Sequence, residues 1–160
     1  MAAHLEICVM AWKKSAERLK LWICRKTGVV PPGPAYFVWL CRHGSPREIL
    51  RAARNGADAN AMFGGSISGL MYAVANRRGA DVVDAVLEAG CDPNLRGAEG
   101  ETALMVACAR GAGADVVRAL LDGGADPQME AHGGMKAADF ARDAKNAGAL
   151  EALEEFQKKT

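Results

Sequence analysis

The chain has 160 residues, half of them apolar, and a net charge of +1 at neutral pH. It is long enough to bury one continuous core, and its overall charge gives no sign of a strongly charged partner. No apolar run approaches the roughly 20 residues of a membrane span, no Asn-x-Ser/Thr acceptor occurs, and five cysteines without a Cys-x-x-Cys pair argue against a disulfide framework.

Residues 1–27 read as a basic amphipathic helix. Leu5, Cys8, Trp12, Leu19 and Trp22 or Ile23 follow three-and-four spacing, while Lys13, Lys14, Glu17, Arg18 and Lys20 cluster elsewhere. Residues 1–30 hold six Lys/Arg against two Glu, a net +4, which leaves −3 for the rest. The apolar part precedes the charges, the reverse of a secretory signal. Two readings are open. The helix caps the exposed side of the first repeat, or it lies on a membrane surface or in a partner's groove. Residues 28–33, followed by Pro34, form a proline- and glycine-rich linker that cannot be helical.

From residue 34 the chain repeats itself. Asp58, Asp92 and Asp126 stand 34 residues apart, each after Gly-Ala or Gly-Cys, and Ile49, Val83 and Val117 keep the same step, as do Ala73, Ala107 and Ala141. A repeat of this period means a stacked array. The domain spans residues 34–160, with units at about 34–65, 66–99, 100–133 and 134–156.

The first unit has a bulky first helix containing Tyr36, Phe37, Trp39 and Leu40, and Ser45-Pro46-Arg47-Glu48 opens its second helix with a good cap. Residues 58–65 make the first projecting hairpin. In the second unit Val82, Val83, Val86 and Leu87 form the core stripe. In the third, Thr102 caps a thin helix over 103–109, and Asp115 is expected to cap a second helix whose apolar stripe is Val116, Val117, Leu120 and Leu121. Gly123 and Gly124 end that helix. The last unit turns Phe140, Ala141, Leu150, Leu153 and Phe156 inward and Glu151, Glu154 and Glu155 outward, as a polar end cap should.

These positions resemble the ankyrin repeat, a G-x-T-P-L-H-x-A-A then G-x-x-x-V-V-x-x-L-L-x-x-G-A-D-x-N pattern. Gly100, Thr102, Leu104, Ala107, Val116, Val117, Leu120, Leu121, Gly124, Ala125 and Asp126 stand at matching places. The resemblance covers about residues 34–156 and implies an all-α solenoid of stacked helix-turn-helix units with projecting hairpin loops. Two departures stand out. The inter-helix turns near Asn76 and Arg110 carry one residue more than the family's usual unit of about 33, and the Thr-Pro-Leu-His signature is eroded to Thr-Ala-Leu-Met at residues 102–105. The family's histidine, which ties adjacent turns together, is absent.

No residue pattern carries catalysis. His4, His43 and His132 lack ligand-spaced partners, and Gly111-Ala112-Gly113 has Val116 where a dinucleotide turn needs its third glycine. The repeated aspartates lie on successive turns about 10 Å apart, too far for shared ligation, so turn chemistry is their expected role. Cys41 and Cys108 take alanine positions and read as small buried hydrophobes. The expectation is a monomeric, cytoplasmic, non-catalytic module without metal, cofactor or nucleic-acid ligand. By the resemblance, hairpin tips and first helices form a concave groove for another protein. The candidates there are Met62, Phe63, Ile67, Asn76, Glu99, Glu101, Arg110, His132, Met135 and Asp143. Each stands at a position of the repeat expected to be free of a folding duty, and large apolar tips such as Met62, Phe63 and Met135 carry the most weight.

Overall fold

The structure, a computed structural model, describes residues 34–159. The helix and linker expected over residues 1–33 lie outside the described residues. Eight helices follow in four pairs: α1 Pro34–His43 and α2 Pro46–Arg54, α3 Gly69–Ala75 and α4 Ala80–Glu88, α5 Ala103–Ala109 and α6 Ala114–Asp122, α7 Ala137–Asp143 and α8 Ala147–Lys159. Before α3 a small antiparallel hairpin pairs β1 Met62–Phe63 with β2 Ile67–Ser68. First helices pack on first helices and second on second, so α1, α3, α5 and α7 form one layer and α2, α4, α6 and α8 the other. This is the expected all-α solenoid.

The stripes read from the sequence are the core. Val82, Val83 and Val86 of α4 and Val116, Val117, Leu120 and Leu121 of α6 are buried, and Leu87 packs at the core's edge. Ala73, Ala107 and Ala141 are fully buried in the first-helix layer, where small side chains let helices approach closely. In the last pair Ala141 and Leu153 are buried, but Phe140, Leu150 and Phe156 are only partly so. Ala149 and Ala152 complete the inner face of α8.

Helix starts divide into two chemistries. Ser45 forms a full capping box, its hydroxyl accepting from the Glu48 amide while the Glu48 carboxylate accepts from the Ser45 amide at 2.9 Å. Ser68 caps α3 by accepting from the Met71 amide at 3.2 Å. Asp115, however, is not a cap. Gly113 takes that place and Asp115 falls in the first turn of α6, as Asp81 does after Gly79 in α4. The glycine leaves room for the carboxylate to fold back: a Cβ on Gly79 would meet Asp81 Oδ1 at 2.8 Å. A carboxylate in the first turn is favoured by the helix dipole without making a cap hydrogen bond. Thr102 does sit at the start of α5, yet its hydroxyl is buried with no partner among the described residues, and its amide donates to Met105 Sδ at 3.4 Å.

Adjacent units are tied at both ends without the missing histidine. At the hairpin end, Asp58, Asp92 and Asp126 each accept from the amide two residues on, the expected turn chemistry. Asn60 then bridges to the next unit, donating to the Gly90 carbonyl and accepting from the Asp92 amide at 2.7 Å. Asn94 repeats both bonds to Gly124 and Asp126. At the turn end, Arg78 donates to the Arg42 and Gly44 carbonyls, Arg77 to the Arg110 carbonyl at 3.3 Å, and Asn146 to the Ala112 carbonyl at 3.0 Å. These side chains satisfy carbonyls that helix ends leave open, so the eroded signature does not leave the turns untied.

Candidate functional site

The first hairpin gathers three of the sequence candidates. Its register sets Phe63 directly opposite Ile67 and Met62 opposite Ser68. Cross-strand partners share a face, so Phe63 and Ile67 point the same way, while Ser68 turns inward to cap α3. Phe63 is 51% exposed and Ile67 37%, and among the described residues no other large hydrophobic side chain is exposed. Met62 is half-buried.

The wall behind that hairpin is aromatic and basic. Phe63 meets Tyr72 of α3 edge-on at 6.3 Å between ring centres, and the Arg42 guanidinium of α1 lies 5.9 Å from the centre of the same Tyr72 ring. Trp39 and His43, one helical turn apart on α1, set their rings 5.1 Å apart and tilted by 40°. Burial pushes the His43 imidazole below its usual range, with the positive charges of Arg42 and Arg78 adding to the effect. Trp39, Arg42 and Tyr72 were not among the sequence candidates. Tyr72 recurs as Val106 and Phe140 one and two repeats on, all half-buried on the first-helix layer, which was the available signal.

The remaining candidates fall elsewhere. Glu99, Glu101 and His132 belong to the hairpin loops of the later units: the Glu101 carboxylate accepts from the Glu99 amide at 2.9 Å, and the His132 amide donates to the Glu99 carbonyl at 2.8 Å. Met135 is half-buried, its carbonyl accepting from Ala131. Asn76 and Arg110 close α3 and α5 at the turn end, and Asp143 ends α7. The expectation that each candidate is free of folding duties is corrected for two of them. The Asn76 side chain donates to the Tyr72 carbonyl at 2.8 Å, and Glu101 braces its own loop. A short polar side chain just past a helix end finds the last open carbonyl within reach.

The charge is divided along the array. Residues 34–80 carry six Arg and two acidic residues, a net +4; residues 81–159 carry eight Lys/Arg against fifteen Asp/Glu, a net −7. No Asp or Glu occurs between Asp58 and Asp81, nor in α1.

Among the described residues no group of three or more His, Cys, Asp or Glu could hold a metal ion, and no helix is long and apolar enough to cross a membrane. Cys41, Cys91 and Cys108 are buried free thiols. Burial pushes Cys91 up to about 11 and Cys108 up to about 12, and Cys41 higher still. Such thiols are not nucleophiles at neutral pH. Cys8 and Cys24 lie outside the described residues.

A model of the family described as ankyrin repeats (three copies) matches residues 37–131 and, in a second overlapping placement, residues 70–155. No curated protein matches the chain.

Proposed function

Because the chain belongs to the ankyrin-repeat family, whose members are generally protein–protein interaction modules, we propose that it is a non-catalytic scaffold that presents a groove to one protein partner. The groove is lined by the first-helix layer and the hairpin loops. The observation that carries this reading is the Phe63–Ile67 pair, held exposed at a hairpin tip where the fold gains little from it. Large apolar side chains in water at a rigid loop are the usual anchors of an interface. The three described thiols, buried and unpaired, support work in a reducing cytoplasm.

The test is capture of a partner from native extract by the intact chain and by a variant carrying Phe63→Ala, Glu99→Ala and Met135→Ala, with mass spectrometry of what is retained. A protein held by the intact chain and lost by the variant is expected. The same protein held equally by both would place the working surface outside the groove. The membrane-surface alternative rests on residues 1–27, outside the described residues. Co-sedimentation of the full chain with anionic vesicles, before and after Lys13→Glu, Lys14→Glu and Arg18→Glu, decides it, and equal pelleting of both proteins would sink it.

A further inference from the structure

We infer that the wall made by α1, the β1–β2 hairpin and α3 is a docking site for an acidic segment of the partner protein that carries apolar anchor side chains. This rests on the reading of the array as a protein-binding scaffold and goes further by fixing where the partner sits and what chemistry it brings.

Two independent features of the wall point the same way. The first is apolar: Phe63 and Ile67 stand exposed on one face of the hairpin, with the Tyr72 ring behind Phe63. Aromatic side chains next to an arginine are the composition that dominates binding energy at interfaces. The second is charge. Arg42 lies against the Tyr72 ring, Arg77 and Arg78 follow α3 at its turn end with Arg78 against the Arg42 and Gly44 carbonyls, and the chain from Ala59 to Ala80 contains no carboxylate. Arg77 and Arg78 spend hydrogen bonds on backbone carbonyls, which anchors their guanidinium groups but leaves their charge uncancelled. Among the described residues, the ion pairs Arg118–Glu155, Lys136–Glu130 and Arg142–Asp139 all lie in the later part of the array and involve none of the three. A carboxylate-bearing partner would supply the missing counter-charge.

The other occupants fit less well. Residues 1–30 carry a net +4, the same sign as the wall, so they offer it no counter-charge. A second copy would offer its negative half, residues 81–159, but among the described residues no large hydrophobic side chain is exposed there to meet Phe63 and Ile67. A partner segment that combines both properties satisfies both features at once. The division of charge, +4 over residues 34–80 and −7 over residues 81–159, also fixes its placement, because an acidic segment is drawn to the α1–hairpin–α3 stretch and pushed from the helices that follow it.

The experiment is an array of random dodecamer peptides probed with the full chain, with bound sequences sorted by charge and by content of Leu, Ile, Phe, Tyr and Trp. The best binder is then measured by fluorescence anisotropy. Acidic sequences with apolar residues should lead, with affinity falling as salt rises. Phe63→Ser should weaken the best peptide by about tenfold or more, and Arg42→Glu by about three- to tenfold. Arg42→Lys and Phe63→Leu should retain most of the affinity. Circular dichroism melts of each variant must match the parent, as expected for exposed positions.

Enrichment of basic or uncharged peptides overturns the proposal, and so does an acidic binder whose affinity survives both Phe63→Ser and Arg42→Glu. Basic peptides lost on Glu99→Lys with Glu101→Lys would overturn it while leaving the groove reading intact, with the later hairpins as the site. An array without selective binders, together with concentration-dependent dimerisation in sedimentation velocity, would overturn it in favour of a second copy. The extract-capture result stands apart from all of these, so the two readings fail separately.

Discussion

The first and third units share one plan and solve their packing in opposite ways. In the third, α5 is a thin helix of small residues, and Ala103 and Ala107 let its neighbours in. In the first, α1 brings Phe37 and Cys41 to the same layer, and the cost falls on the next helix. Gly69 stands where the third and fourth units have Ala103 and Ala137, because a Cβ there would meet Cys41 Sγ at 2.7 Å and the Phe37 ring at 3.3 Å. The repeat therefore fixes the architecture, while each stacking interface is fitted locally, one unit's bulk against the next unit's missing methyl. Charge divides along the chain as well, +4 over residues 34–80 against −7 over residues 81–159, which is why the docking surface is assigned to the earlier stretch.

The most severe way to break this comparison is to give the first unit the small residue of its siblings. Phe37 is 1% exposed, and Phe37→Ala should cost about 3–5 kcal/mol in urea unfolding, since the backbone already positioned for a ring cannot collapse onto a methyl. Gly69→Ala tests the fit from the other side. On an isolated helix alanine would be favoured over glycine by about 1 kcal/mol, but overpacking here should reverse the sign and destabilise by about 1–3 kcal/mol. Adding Cys41→Ala to Gly69→Ala removes the nearest obstacle and should recover a large part of that loss. Strict additivity of the two substitutions would show that the contact does not govern the choice of glycine.

A third test sets the buried thiols of the array against alkaline pH. Burial raises Cys91 to about 11 and Cys108 to about 12, whereas an unfolded thiol ionises near pH 8.5. The unfolded state therefore releases its protons first. The stability from keeping these thiols neutral is whole below about pH 8.5 and is lost as pH rises toward the folded values, by about 1 kcal/mol per thiol for each pH unit. Denaturant titrations at pH 8 and pH 10 should show the decline, and Cys108→Ala should flatten it. A decline unchanged by that substitution would assign it to other groups.

Asn94→Ala probes the ladder that both regions share. It removes two hydrogen bonds, to the Gly124 carbonyl and from the Asp126 amide, and should cost about 1–2 kcal/mol. Gln128 occupies the same place one repeat later, and its side-chain oxygen accepts from Lys136 Nζ at 3.2 Å instead. Gln128→Ala should therefore cost only a few tenths of a kcal/mol, as for an exposed polar contact.

What the sequence made legible is what repeats. The 34-residue step of Asp58, Asp92 and Asp126 carried the turn chemistry, the valine and leucine pairs carried the second-helix stripes, and Ser45 to Glu48 carried a complete capping box. What stayed hidden belongs to one unit or to the contact between two. Arg77, Arg78 and Asn146 tie neighbouring turns through backbone carbonyls, and no local pattern announces a carbonyl three dozen residues away. The wall of Trp39, Arg42 and Tyr72 was obscured for a related reason. The turn between α1 and α2 holds two residues where the next two units hold four, so the 34-residue step does not map α1 onto α3. Asp115 was misplaced because aspartate favours both the cap and the first turn, and only the backbone of Gly113 distinguishes them.

The smallest expected effect sharpens the comparison most cleanly, because the backbone is the same in both regions. Arg77, Gly111 and Lys145, one repeat apart, all adopt the left-handed conformation, with φ of 54°, 69° and 53°. Glycine is at ease there, whereas a residue with a Cβ is strained by about 1 kcal/mol or more. Part of that gain is returned, since glycine also loses more freedom on folding. Lys145→Gly should then stabilise the array by about 0.5 kcal/mol. Arg77→Gly relieves the same strain but deletes the bond to the Arg110 carbonyl, so it should come out near neutral. Gly111→Ala, the reverse change, should cost about 1 kcal/mol. If Arg77→Gly stabilises as much as Lys145→Gly, the arginine ties nothing across the turns. Its retention would then belong to the positive charge of residues 34–80 and not to the stability of the array.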